Sequence, residues 1–113
     1  MVEIPNEIID KVQKFGEAIK NSLSVEKIFI FGSYANGKYN EYSDIDVCVI
    51  AKTSDNNYES LLKIINKTKD IDARIEPVVF SIEEFVNESD FGLLKEVKKY
   101  GLEIMNLKFS KVT

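Results

Sequence analysis

The run Ile28-Phe29-Ile30-Phe31 is the feature that most narrows the folds open to this chain. Four consecutive aromatic or β-branched residues, bounded by Lys27 and Gly32, are typical of a β-strand that is buried on both faces. A strand with one face in water would alternate between apolar and polar residues instead. We therefore predict a strand over 27–31 inside a sheet that is covered on both sides.

Amphipathic helical patterns flank this strand. Pro5 precedes the first pattern, as expected for the first turn of a helix. Apolar residues spaced i, i+4, i+7, i+11 predict a helix over 6–21, and apolar residues spaced i, i+3, i+4, i+7 predict a helix over 56–68. The stripes are Ile8, Val12, Phe15 and Ile19 in the first helix, and Tyr58, Leu61, Leu62 and Ile65 in the second.

Two more strands are predicted over 44–51 and 74–80. Pro77 lies within the second of these and has no N–H for a ladder hydrogen bond, which favours an edge strand or a bulge. The segment 81–84 matches a capping box and predicts a short helix over 82–87.

The pattern Phe91, Leu94 and Val97 predicts a last helix that ends at Gly101, and residues 102–105 are expected to return as a short strand. The order of elements indicates an α/β (α+β layered) fold, with a small mixed sheet flanked by helices. With 113 residues and no repeat or linker, we expect a single domain over 1–113.

Composition excludes several kinds of chemistry. The chain has no His and one Cys, so it can form neither a Ser-His-Asp triad nor an internal disulfide. The net charge is −4, and residues 41–90 alone carry 12 acids and 5 bases. This balance argues against direct nucleic-acid binding, which depends on basic clusters, and it suits divalent cations.

The first residues contain no apolar segment or cleavage site typical of a signal peptide, and no apolar run approaches the roughly 20 residues that span a bilayer. We therefore expect a soluble, cytoplasmic protein.

Gly32-Ser33 directly follows the first strand. A glycine there allows a sharp turn and a close approach of backbone to a ligand. If Ser33 begins a short helix, its free N–H groups can bind an anion such as a phosphate. Taken alone, however, a Gly-Ser pair after a strand is more often an ordinary turn.

Asp44 and Asp46 lie two residues apart on the second predicted strand, so both carboxylates should leave the same face. Two like charges side by side repel each other, which suggests a pair of hard oxygen ligands for Mg²⁺. The alternative is a solvent-exposed strand start in which Ser43 and Asp44 belong to a turn.

Glu76, on the third strand, would face the same side as the Asp pair if the two strands are neighbours. Asp72 is the rival third carboxylate. A phosphate-binding turn opposite three carboxylates is the arrangement that metal-assisted phosphoryl or nucleotidyl transfer requires.

The segments 31–37 (FGSYANG) and 43–47 (SDIDV) resemble the signature of the minimal nucleotidyltransferases, a branch of the polymerase-β-like superfamily. Ten residues separate Ser33 from Asp44, which is the spacing of the members that act as antitoxins to HEPN-type toxins. The similarity extends over essentially the whole chain.

The resemblance implies roles for five residues. Asp44, Asp46 and Glu76 would be catalytic and would hold Mg²⁺, with two ions expected. Gly32 and Ser33 would bind the β- and γ-phosphates of ATP. The implied reaction transfers AMP to a hydroxyl, in family members a tyrosine of the partner toxin, within a hetero-oligomer of the two proteins.

One departure from the family pattern is Asn36, where many relatives carry a basic residue, and Lys38 is the nearest replacement for that charge. Two other functions stay open at this point. The chain could be an inactive domain that neutralises its partner by binding alone, or a transferase that acts on a small molecule.

Overall fold

Five helices and four strands follow one another in the part of the chain that the structure describes. The computed structural model describes residues 3–52, 58–87 and 92–106. In the order of the chain the elements are α1 (Asn6–Ile19), β1 (Val25–Phe31), α2 (Ser33–Asn36), β2 (Ile45–Ala51), α3 (Tyr58–Ile71), β3 (Ile75–Ser81), α4 (Ile82–Val86), α5 (Gly92–Tyr100) and β4 (Leu102–Asn106).

The four strands form one mixed sheet in the order β3-β2-β1-β4. β2 and β3 run parallel, whereas β1 is antiparallel to both β2 and β4. β3 is therefore an edge strand, which confirms the position predicted from Pro77. The sheet and its helices confirm the predicted fold class, with element bounds that differ from the predicted ones by up to three residues.

β1 is buried on both faces, as its uninterrupted apolar run predicts. Ile28 and Ile30 belong to one hydrophobic cluster, and Phe29 and Phe31 belong to another on the opposite side of the sheet. The first cluster joins the sheet to α1 and α3, and the second joins it to α4 and α5. Helices thus cover both faces of the sheet.

α1 buries the residues predicted for it, which are Ile8, Val12, Phe15 and Ile19. The predicted face of α3 is wrong at three of its four residues, because Leu61, Leu62 and Ile65 are 38–45% exposed, and the side chain of Tyr58 lies outside the described part of the chain. The helix turns a different stripe inward, namely Ile64, Thr68 and Ile71, at the same i, i+4, i+7 spacing. Two stripes with helical spacing compete on this helix, and the one that meets the core includes the polar residue Thr68, so spacing and hydrophobicity do not identify it.

The opposite face of the sheet carries α4 and α5. Ser81 and Glu84 form the predicted capping box, with Glu84 N–H donating to Ser81 Oγ at 3.0 Å and Ser81 N–H donating to Glu84 Oε1 at 2.8 Å. Leu94 and Val97 of α5 are buried, and α5 ends before Gly101 as predicted. Phe91, the other residue predicted for this stripe, lies outside the described residues.

Cys48 lies on β2 within this second cluster and is fully buried. Burial raises the pKa of its thiol to about 12. Among the helices that the structure describes, none is long and apolar enough to cross a membrane.

Candidate active site

A sharp turn at Gly32 links the end of β1 to α2. Gly32 has φ +72° and ψ −144°, a conformation that residues with a side chain rarely adopt. Its carbonyl accepts hydrogen bonds from the N–H groups of Ala35 and Asn36, each at 3.0 Å. Ser33 is therefore the first residue of α2, and the N–H groups at the start of a helix have no partner within it.

The side chain of Asp46 lies directly against this turn. A Cβ atom at Gly32 would overlap the carboxylate of Asp46, so only a glycine lets the turn and the carboxylate approach so closely. Positive φ and lack of space therefore act together at this position. The two segments singled out in the sequence meet at this contact.

Asp46 also connects β1 to β3 across the sheet. It is the register partner of Phe31 on one side and of Glu76 on the other. Because directly paired residues project from the same face, the Asp46 and Glu76 side chains share the face of Cys48. Asp46, Glu76 and the Gly32 turn are therefore neighbours at one end of the sheet.

Asp44 differs from this pair. The strand predicted from residue 44 begins at Ile45, and Asp44 is an exposed residue just before it. The preceding chain forms a turn in which Asn40 N–H donates to Ser43 Oγ at 2.8 Å and Ser43 N–H donates to the Asn40 carbonyl at 3.1 Å. Because of this turn the strand begins at Ile45 and not at residue 44. The alternation of side chains along the strand therefore does not determine the direction of the Asp44 side chain.

Asp46 carries the main electrostatic signature of this region. Its pKa is raised from 3.8 to about 6, first by burial and then by the negative charges of Glu76, Asp44 and Glu96. The protein thus holds a carboxylate in a place that disfavours its charged form. A shifted carboxylate pKa is typical of functional sites.

Glu96, on α5, is the one member of this group that the sequence did not indicate. It is exposed and lies between the buried residues Leu94 and Val97 of the helix. Its effect on Asp46 depends on how α5 docks against the sheet, and no local pattern reports that docking.

Asp72, the rival of Glu76, has a different task. Its carboxylate receives Lys11 Nζ at 2.7 Å and Arg74 Nη2 at 2.8 Å, and only 10% of the side chain is exposed. Hydrogen bonds from Arg74, followed by Lys11, hold its pKa well below the ordinary range. Asp72 is thus neutralised by two cations and is not free to bind a third.

The residues around Asp46 fit a magnesium ion better than a closed metal cage. Within residues 3–52, 58–87 and 92–106, no three acidic or Cys side chains lie close enough to form a complete ligand set. Mg²⁺ usually takes one or two carboxylates and fills its remaining positions with water and substrate phosphates. Asp46 and Glu76, with Asp44 close by, could supply those carboxylates. A bound cation would neutralise the negative charge that is partly buried at Asp46.

Asn36, at the departure from the family pattern, ends α2. Its Oδ1 accepts a hydrogen bond from Lys38 N–H at 3.0 Å, next to Gly37 with φ +83°. The amide therefore shapes the exit from the short helix. Lys38 is exposed, so its ammonium is available to solvent or to a ligand.

Comparison with known proteins bears on the family to which this chain belongs. The sequence profile of the nucleotidyltransferase domain family matches residues 11–105. A protein of Methanocaldococcus jannaschii named "Putative protein adenylyltransferase" is 30% identical over 103 residues, which cover 87% of this chain and 99% of that protein.

Two solved structures have a similar fold. One is a toxin–antitoxin with AMP-PNP, with a TM-score of 0.63 and 22% identity over 88% of this chain and 74% of the other. The second is a complex of tri-AMPylated Shewanella oneidensis HEPN toxin with MNT antitoxin, with a TM-score of 0.54 and 18% identity over 88% and 70%. At these identities the similarity establishes the shared fold.

The profile match covers most of the chain, and the M. jannaschii relative is matched over nearly its full length. This chain belongs to the nucleotidyltransferase domain family and is a nucleotidyltransferase.

Proposed function

We propose that this protein is a Mg²⁺-dependent adenylyltransferase that transfers AMP from ATP to a tyrosine of a HEPN-type toxin, and that it acts as the antitoxin to that toxin. Residues 1–113 would act as one minimal domain. The observation that carries the proposal is the meeting of the Asp46 carboxylate with the Gly32 turn and Glu76. This is where the phosphates of a nucleotide and a cation would both be bound.

The relatives support the choice of nucleotide and acceptor. The M. jannaschii protein is named as an adenylyltransferase that acts on protein. The two solved structures are toxin–antitoxin assemblies, one with an ATP analogue and one with an AMPylated HEPN toxin.

The five residues divide between phosphate binding and metal binding in the proposed reaction, and Glu76 also accepts a proton. The free N–H groups at Ser33 would bind the β- and γ-phosphates, and Gly32 allows them to approach. Asp44, Asp46 and Glu76 would hold Mg²⁺, which when bound supplies positive charge to the reacting phosphates. The acceptor hydroxyl oxygen attacks the α-phosphorus, its proton passes to the Glu76 carboxylate, and pyrophosphate leaves.

The proposal is tested with the purified protein, its co-expressed toxin, ATP and Mg²⁺. We expect the intact mass of the toxin to rise by whole AMP units. Glu76→Gln should abolish the increase, whereas Glu59→Gln, an exposed residue on α3, should leave it unchanged. Labelling by Glu76→Gln at the wild-type rate would exclude Glu76 from catalysis.

The same experiment separates transfer from binding alone. The double variant Asp44→Asn/Asp46→Asn should still co-purify with the toxin but should not modify it. If this variant neutralises the toxin as fully as the wild type does, occlusion rather than AMP transfer is the antitoxin mechanism. A gain in mass on a small molecule instead of the toxin would point to a different acceptor.

A further inference from the structure

Arg74 joins three segments that surround the site. Its Nη1 donates to the carbonyl of Glu41 at 3.1 Å and makes a longer contact of 3.5 Å with the hydroxyl of Tyr34 on α2. Its own carbonyl accepts the N–H of Ile45 at 2.8 Å. Arg74 also stands two residues before Glu76. One residue thus contacts α2, the segment before Asp44, and the position between the two aspartates.

The guanidinium of Arg74 is held in one orientation by Asp72. Nε donates to Oδ1 at 3.1 Å and Nη2 donates to Oδ2 at 2.8 Å, and the Arg74 N–H also donates to Oδ1, at 2.9 Å. Such a bidentate ion pair fixes the plane of the guanidinium as well as its position. The remaining nitrogen, Nη1, is thereby aimed at Glu41 and Tyr34.

The chain between Gly37 and Asp44 is here called the 37–44 loop. It has few contacts that hold it against the rest of the domain. It contains no helix or strand, and residues 37–42 are largely exposed. Tyr42 N–H donates to Asn40 Oδ1 at 2.8 Å, which orders the loop internally but does not attach it to the sheet. Stacking of Tyr39 on Tyr34, with ring centroids 4.5 Å apart, and the bond from Arg74 to Glu41 provide that attachment.

We propose that Arg74 is a positioning residue, which Asp72 orients and which sets the 37–44 loop, and with it Asp44, at a fixed place relative to Asp46 and Glu76. This inference rests on the proposed function. Asp44 precedes the strand and is not fixed by strand pairing, so its placement depends on the bonds to either side of it, at Glu41 and Ile45. The bond at Glu41 is made by the guanidinium of Arg74, and the bond at Ile45 is made to its backbone carbonyl.

The test compares Arg74→Gln with Arg74→Lys and with a control, Lys11→Gln. Glutamine removes the guanidinium bonds to Asp72 and Glu41 together and leaves the backbone N–H of Arg74 bonded to Asp72. Lysine keeps a positive charge beside Asp72 but lacks the planar fork needed to contact Asp72 and Glu41 at once, so it remains informative if Arg74→Gln does not fold. Lys11→Gln removes the other cation of Asp72 and leaves the bonds between Arg74 and the loop in place.

Two measurements are made on each variant: hydrogen exchange at the N–H groups of Tyr42, Ser43 and Ile45, and kcat and KM for AMP transfer to the co-expressed toxin. For Arg74→Lys we expect exchange in the loop to be faster by about tenfold. We expect kcat to fall by up to about 10²-fold, the loss that a 1 Å misplacement can cause, with a smaller change in KM for ATP. Lys11→Gln should match the wild type in both measurements.

Unchanged exchange in the Arg74 variants would overturn the inference, as would faster exchange with kcat unchanged. Equal losses in Lys11→Gln would also overturn it, because they would show that only the stability of the ion-pair cluster matters. An active wild type with fully active Arg74 variants removes this inference alone. A wild type that transfers no AMP removes the proposed function, and with it the role assigned to Arg74.

Discussion

Asp46 on β2 and Glu76 on β3 are direct partners in a parallel pairing, so two carboxylates leave the same face of the sheet side by side. Like charges placed opposite one another on neighbouring strands destabilise a sheet. The protein nonetheless places two further acidic residues, Asp44 and Glu96, near enough to affect Asp46. The arrangement is unfavourable for the isolated fold and favourable for a protein that binds a cation there.

The first prediction concerns pH. The pKa of Asp46 is about 6 in the folded protein and near 3.8 in the unfolded chain, so between these values the folded state binds more protons. Without divalent cations, the free energy of unfolding should therefore fall from pH 4 to pH 7, by on the order of 2 kcal/mol from this group. Urea unfolding across this range checks it.

Asp46→Asn should remove this part of the pH dependence and should be more stable than the wild type at pH 7. Asp70→Asn, at an exposed position on α3, serves as the control and should keep the wild-type profile. Asp72 does not interfere, because its lowered pKa places its contribution below about pH 4. Identical slopes for the wild type and Asp46→Asn would contradict the prediction.

The second prediction concerns ligands. Mg²⁺ with a non-hydrolysable ATP analogue should raise the melting temperature, because a ligand that binds only the folded state stabilises it. At about 100 times Kd the gain is about 2.7 kcal/mol. Differential scanning fluorimetry would measure it. Asp46→Asn should lose most of the increase, and no increase in the wild type would argue against a working site.

The third prediction concerns the turn at the end of β1. Gly32→Ala should cost about 2 kcal/mol or more and should abolish transfer, because the new Cβ overlaps the Asp46 carboxylate and the φ of +72° is strained. Gly92→Ala is the matched control, since a Cβ there meets nothing within 4 Å. Urea unfolding and the mass assay are run on both variants. Equal behaviour of the two would show that the Gly32 turn is not constrained.

The fourth prediction concerns the start of α4. Ser81→Ala removes the hydroxyl that accepts from Glu84 N–H and should lower the free energy of unfolding by about 1 kcal/mol. Ser81→Thr keeps a hydroxyl and should recover most of the loss. If alanine and threonine gave the same stability in urea unfolding, the capping bond would contribute nothing measurable.

Much of this fold could be predicted from local patterns. The run at residues 28–31 indicated burial on both faces, and Pro77 indicated an edge strand, because each depends on the chemistry of the residues themselves. The inward face of α3 could not be predicted, since two stripes fit the helical spacing and the one that is buried includes the polar residue Thr68. The pairing of β4 with β1 could also not be predicted from the sequence of either strand.

The residues of the candidate site likewise fall into those that local sequence patterns predicted and those that they did not. Alternation along two strands indicated that Asp46 and Glu76 would share a face, provided that the strands were neighbours, and the register shows that they are. Glu96 and Arg74 were missed because their roles depend on contacts between segments far apart in the sequence. The sequence analysis identified Arg74 only as the first residue of the strand predicted over 74–80.

The burial of Cys48 has a practical consequence for all of these comparisons. The chain contains one thiol, it lies on the strand that carries Asp46, and its pKa of about 12 leaves almost none of it as reactive thiolate at neutral pH. Alkylating reagents can therefore modify it only after β2 has separated from its neighbours. The rate at which Cys48 is alkylated therefore reports how often the sheet opens. A variant that loses catalysis with an unchanged alkylation rate has kept its folded structure and lost a group needed for the reaction.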